Sequence, residues 1–107
     1  MEAVLCIVAI VERGQADKVV AAVKNAGASG ATILYGRGTG EHEAKSFFNI
    51  HIESSKEIIL MVVSRKEYAL IRDEIIEVGK LKEPGKGIMF TLPIDNLVGL
   101  RHRLIKE

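Results

Sequence analysis

Two segments of this chain are apolar on both faces of a strand. Residues 3–11 and 57–63 are almost continuously apolar and rich in Val and Ile, which is the pattern of strands that are buried on both sides. Only two segments of the chain have helical periodicity, and two helices cover only one face of a small sheet. The other face also needs cover, and we expect another copy of the same chain to supply it.

The two helical segments have clear ends. Residues 15–26 place their apolar side chains on one stripe, and Gly27 ends the segment. The second helix begins at Ser64, which forms a capping-box pattern with Glu67, and it ends at Gly79. The apolar face of this second helix carries Tyr68, Ile71, Ile75 and Val78. Both segments predict amphipathic helices that pack on a sheet.

The remaining segments complete a six-element order. Residues 30–35 and 88–92 predict strands, and alternation over 48–53 leads a polar, non-periodic loop back to the sheet. The order is strand, helix, strand, strand, helix, strand. It predicts an α+β, ferredoxin-like βαββαβ sandwich, with a four-stranded antiparallel sheet and two helices on one face. We expect a single domain over residues 1–107.

Charge and motif content exclude several functions. The formal net charge is +1, which provides no broad basic field for nucleic acid, and the central strands lack exposed aromatic pairs that stack RNA bases. We find no Ser/His/Asp arrangement, no catalytic Cys/His pair and no paired buried carboxylates, so we predict that the chain is not an enzyme. The three histidines lack the spacing of a metal site. Without a charged leader or a long apolar run, we predict a cytoplasmic protein.

Two glycine-rich segments predict an anion site. Residues 36–40 are Gly-Arg-Gly-Thr-Gly, and residues 84–87 are Pro-Gly-Lys-Gly. Glycines next to a basic residue let backbone N–H groups approach a phosphate closely. We interpret each segment as a turn that follows an ordered element, and we expect the two turns to build one site for an anion or a nucleotide.

Taken together, these residues resemble the PII signal-transduction family, in its PII-like branch. The resemblance covers essentially the whole chain. It includes the six-element order, the Gly27-x-x-Gly30-x-Thr32 approach to the second strand, and the glycine-rich segments at 38–40 and 85–87. The closing Pro-Ile-Asp at 93–95 and the arginines near the end of the chain also fit.

This resemblance implies a homotrimer that binds an adenine nucleotide, ATP, ADP or AMP, in clefts between neighbouring subunits. It implies that the first glycine segment lines the cleft and that the second faces the phosphates, with backbone from the strand at 57–63 beside the adenine. Two arginines would reach the phosphates from the adjoining chain. The residues so implied are Thr32, Gly38, Thr39, Gly40, Val62, Val63, Gly85, Lys86, Gly87, Arg101 and Arg103.

The resemblance also implies that an exposed loop, called the T-loop in that family, docks onto a partner protein. The partner would be a membrane transporter or a metabolic enzyme. Nucleotide bound at the base of the loop would change the ordering of the loop and so control docking. The docking residues implied here are Glu41, His42, Glu43, Ala44, Lys45 and Ser46.

Four departures from the classical pattern favour the PII-like branch. Glu41 stands where an arginine is usual and no glutamine follows it, so the combined use of magnesium, ATP and 2-oxoglutarate is not implied, and magnesium stays open. Ile88 stands where a lysine is usual, although Lys86 lies inside the turn. Gly99 replaces the first of two C-terminal arginines and leaves Arg101 as the better match. The loop is short and has no tyrosine, so the family's uridylylation site is missing.

One alternative stays open, a small trimeric ferredoxin-like protein that binds a metal or a metabolite and resembles the divalent-cation tolerance proteins. Such a protein would use the histidines and the acidic residues at 41–43 rather than the glycine segments. A solvated polar loop is the simpler interpretation of those residues. An acyl-phosphate hydrolase on the same fold would need a phosphate-binding loop at residues 12–15, and Glu-Arg-Gly-Gln is poorly suited to that role.

Overall fold

The computed structural model describes residues 3–38 and 54–99. Within these ranges, four strands and two helices follow one another in the predicted order. The second helix begins as the capping box predicts, because the Glu67 backbone N–H donates to Ser64 Oγ at 3.3 Å. The elements are β1 (Val4–Glu12), α1 (Ala16–Asn25), β2 (Thr32–Gly38), β3 (Ser54–Ser64), α2 (Arg65–Gly79) and β4 (Gly87–Pro93).

The four strands form one sheet in the order β2-β3-β1-β4, and every neighbouring pair is antiparallel. With both helices on one face, this confirms the ferredoxin-like βαββαβ prediction. Because of the strand directions, β1 and β2 end where β3 and β4 begin. We call this end of the sheet, marked by Glu12, Gly38, Ser54 and Gly87, the loop end. Both glycine-rich segments therefore lie at the same end of the sheet.

The hydrophobic core lies between the helices and one face of the sheet. Both helices contribute fully buried side chains from their predicted apolar stripes, and β1 and β3 supply the sheet side of the core. Tyr68 of α2 is also tied to β4, because its hydroxyl lies 2.8 Å from Thr91 Oγ1. The core residues include Leu5, Ile7, Ala9, Val11, Val19, Val23, Ile59, Met61, Val63, Ile71 and Ile75.

The other face of the sheet, which we call the open face, is also apolar. Strand register places ten apolar side chains on it, and within residues 3–38 and 54–99 both helices pack on the opposite face. Phe90 remains 43% exposed and Leu34 remains 47% exposed. The two-sided apolar pattern of the sequence is thus confirmed for β1 and β3. The open-face residues are Cys6, Val8, Ile10, Leu34, Ile58, Leu60, Val62, Ile88, Phe90 and Leu92.

The prediction that residues 36–40 form a turn is wrong for its first three residues. β2 begins at Thr32 and continues through Gly38, which pairs with Ser54. The reason is that β3 starts three residues earlier than its apolar run suggests and supplies backbone partners for the glycines. Glycine at position 36 also leaves room for the Ile58 side chain, since a Cβ there would lie 3.2 Å from Ile58 Cδ1.

Neither helix in the described ranges is long and apolar enough to cross a membrane.

Candidate functional site

The described residues of the two predicted glycine segments lie at the loop end, next to the two opposite edge strands of the sheet. Gly38 ends the edge strand β2, whereas Gly85, Lys86 and Gly87 lead into the other edge strand, β4. Strands β3 and β1 lie between them. Three strand spacings correspond to about 14 Å. Within one subunit, therefore, Gly38 and Gly87 are too far apart to contact a single phosphate group.

Another set of predicted residues lies at the opposite end of the sheet. Thr32 is the first residue of β2 and lies six positions before Gly38, which is about 20 Å along an extended strand. Thr32 pairs with Leu60, so the last four residues of β3 extend beyond the start of β2. Val62 and Val63 belong to this extension. The Val62 side chain lies on the open face, while the Val63 side chain is in the core.

Several predicted residues lie outside the described part of the chain. These are the glycine-segment residues Thr39 and Gly40, the docking-loop residues 41–46, and the two arginines Arg101 and Arg103.

The turn before β4 has a geometry that depends on its glycines. The Gly85 backbone has a φ of 79° and the Gly87 backbone has a φ of 146°, and L side chains rarely adopt such conformations. A Cβ on Gly87 would lie only 2.4 Å from the carbonyl oxygen of Ile10. The half-buried Lys86 is held between these two glycines. Gly87 thus has a packing role against β1 that does not depend on any ligand.

Glu57 is a residue that sequence reasoning did not single out. Its side chain is only 9% exposed, and Oε1 accepts a hydrogen bond of 2.8 Å from the backbone N–H of Ala16. This N–H belongs to the first turn of α1. Backbone N–H groups there lack acceptors within the helix, and the helix N-terminus favours a nearby negative charge. Gln15 at the N-cap makes no side-chain capping bond. The sequence feature that could have identified Glu57 is a carboxylate at the start of an otherwise apolar strand.

We expect Glu57→Ala to lower the free energy of unfolding by about 1–3 kcal/mol, because a buried N–H loses a charged acceptor. Glu57→Gln is the matched control, since its amide oxygen can still accept from Ala16 and its loss should be smaller. Urea unfolding at one fixed protein concentration measures both variants. If Glu57→Ala is as stable as the original chain, the contact does not hold the start of α1.

The described residues include no group of three or more His, Cys, Asp or Glu side chains that could hold a metal ion.

Comparisons with known proteins agree on one family. The family described as "Nitrogen regulatory protein P-II" matches residues 4–103 of the chain. Among solved structures, the fold is similar to that of PII from Arabidopsis thaliana bound to citrate, with a TM-score of 0.73 and 25% sequence identity. That similarity covers 94% of this chain and 85% of the plant protein chain. No match was found among curated proteins.

Proposed function

This chain belongs to the nitrogen regulatory protein P-II family, and we propose that it binds an adenine nucleotide between the subunits of a homotrimer and thereby controls a partner protein. The family and the similar plant PII support a PII-like signalling regulator. The nucleotide, the trimer and the partner are the proposed steps beyond that.

The open face is the single observation that carries the proposal. It presents ten apolar side chains from all four strands, and four of its large residues, Leu34, Ile88, Phe90 and Leu92, are between 43% and 59% exposed. Contiguous apolar surface of this kind marks an interface in a water-exposed protein. Closed symmetry lets three identical faces bury one another around one axis. We therefore assign the open face to contacts between copies.

The distribution of the predicted site residues supports a ligand shared between copies. Thr32 and Val62 lie at one end of the sheet, whereas Gly38 and Gly87 lie at the loop end. Along β2, Thr32 and Gly38 are about 20 Å apart. In the proposed trimer, the end of one subunit's sheet that carries Thr32 and Val62 can lie beside the loop end of the neighbouring subunit's sheet. In the proposed site, adenine contacts the backbone near Val62 of one subunit and the phosphates lie at the turn before β4 of another.

The basic residues assigned to the phosphates are Lys86, Arg101 and Arg103. Charge-assisted hydrogen bonds from such groups to phosphate oxygens are about twice as strong as neutral ones. The plant PII with the similar fold was crystallised bound to citrate, which is also a small polyanion. In this proposal, nucleotide bound at Thr39 and Gly40 orders the segment 38–47, whose residues 41–46 then dock onto a membrane transporter or a metabolic enzyme. Such coupling requires different ligand contacts in the two states of the segment.

We expect calorimetry to detect saturable binding of ATP, ADP or AMP, and Lys86→Ala to weaken it about tenfold, which corresponds to about 1.4 kcal/mol. The matched control is Lys82→Ala, which removes the same charge from an exposed position in the same connection between α2 and β4. In the original chain, hydrogen exchange over 38–47 should slow when nucleotide saturates the site.

Three outcomes contradict parts of this proposal. Absence of binding of all three nucleotides removes the nucleotide site. Equal weakening by Lys82→Ala assigns the effect to general charge rather than to the position of Lys86. Unchanged exchange over 38–47 in the saturated protein removes the signalling role of that segment while leaving the nucleotide site intact.

A further inference from the structure

A polar cleft lies on the helix face of the sheet at the loop end. It has a volume of about 680 Å³, and its walls come from the β1–α1 turn, the end of β2 and the start of β3. This volume lies within the range of small-molecule sites. The lining residues are Arg13, Tyr35, Gly36, Arg37, Ser55, Lys56 and Glu57.

Strand register places the cleft on the opposite side of the sheet from the open face. Tyr35 pairs with Glu57, and Arg37 pairs with Ser55. These residues alternate with residues of the open-face side, which are Leu34, Gly36, Lys56 and Ile58. The sheet therefore separates the cleft from the side chains of Thr32 and Val62. The cleft is a different place from the proposed adenine site.

The charges of the lining favour an anion. On the helix side of the sheet, the lining carries two positive charges, Arg13 and Arg37, and one negative charge, Glu57. Lys56 also lines the cleft, but strand register places it on the open-face side. The Glu57 carboxylate already accepts the Ala16 N–H at 2.8 Å, and the positive end of the α1 dipole offsets its charge further. The helix side of the cleft therefore carries an excess of positive formal charge.

We propose that this cleft binds a small anion with phosphate or carboxylate groups, held by Arg13 and Arg37. A guanidinium group presents a planar fork of donors that matches both kinds of acid group. Arg13 reaches the cleft from the β1–α1 turn, which Glu57 ties to β3, and Arg37 reaches it from β2. Tyr35, which is 79% exposed, adds an aromatic wall and a hydroxyl. The site lies beyond the proposed nucleotide function, since it uses the other face of the sheet.

The test is calorimetry on the full chain at low ionic strength, with malonate and inorganic phosphate as separate probes. We expect saturable binding of at least one probe, weakened about tenfold by Arg13→Ala and by Arg37→Ala. The control is Arg65→Ala, which removes an exposed arginine at the start of α2, at the far end of β3, and should leave the affinity unchanged. Amide chemical shifts of the original chain should change at residues 13, 35–37 and 55–57.

Either of two results overturns the inference. Absence of saturable binding of both probes does so, as does an equal loss of affinity in Arg65→Ala. A third measurement separates this site from the nucleotide site: saturating AMP should leave the malonate affinity unchanged, and displacement of malonate by AMP would assign the cleft to the nucleotide. If no nucleotide binds at all, malonate binding that depends on Arg13 still supports the cleft.

Discussion

Phe90→Asp is expected to leave the chain folded and to abolish its self-association. Phe90 lies on the open face opposite Val8 and is 43% exposed in the single subunit. A carboxylate at this position can therefore stay in water while the chain is alone. Between packed copies it would be an unpaired charge in an apolar interface, which costs several kcal/mol per subunit. Light scattering after size exclusion should show the particle mass fall from that of the proposed trimer to one third of it.

Leu70→Asp is the matched control for this experiment. Leu70 is 59% exposed and lies on α2, which packs against the other face of the sheet. Its replacement should therefore leave the proposed trimer intact. Circular dichroism of both variants checks that the subunit is folded. A trimer that persists in Phe90→Asp would show that copies do not meet through the open face. A monomeric original chain would remove both the trimer and the shared nucleotide cleft.

Gly87→Ala is expected to destabilise the subunit by roughly 2–5 kcal/mol. Two costs add at this position. The φ of 146° is unfavourable for an L side chain by about 1–2 kcal/mol. The new Cβ would also lie 2.4 Å from the Ile10 carbonyl oxygen, and relieving such a contact shifts the β1–β4 pairing at an overpacking cost of about 1–3 kcal/mol. Urea unfolding at fixed protein concentration measures the loss.

Gly14→Ala separates these two costs. Gly14 has a φ of 88°, but a Cβ there would meet nothing within 4 Å, so this variant should lose only the conformational part, about 1–2 kcal/mol. Equal losses in the two variants would mean that the close approach to Ile10 is relieved without cost. Because Gly87 is needed by the fold, weaker nucleotide binding in its variants would not identify a phosphate contact. Lys86→Ala is the cleaner probe of that contact.

Much of the architecture follows from local patterns in the sequence. The apolar runs of β1 and β3, the helical stripes of α1 and α2, and the Ser64 cap each depend on residues within a few positions of one another. They predicted the order of the six elements and the fold. The same patterns also predicted that the sheet has two apolar faces, because side chains alternate across a strand whichever neighbour it pairs with.

The arrangement of the site depended on contacts between residues far apart in the chain, which only the tertiary structure decides. Gly36 and Gly38 have the local character of a turn, but pairing with β3 keeps them in a strand. Glu57 meets the Ala16 N–H across 41 positions of sequence, and no local pattern specifies such a partner. The strand order β2-β3-β1-β4 places the two glycine segments at opposite edges. Spacing along the chain does not encode that separation, because strand order is set by how the whole core packs.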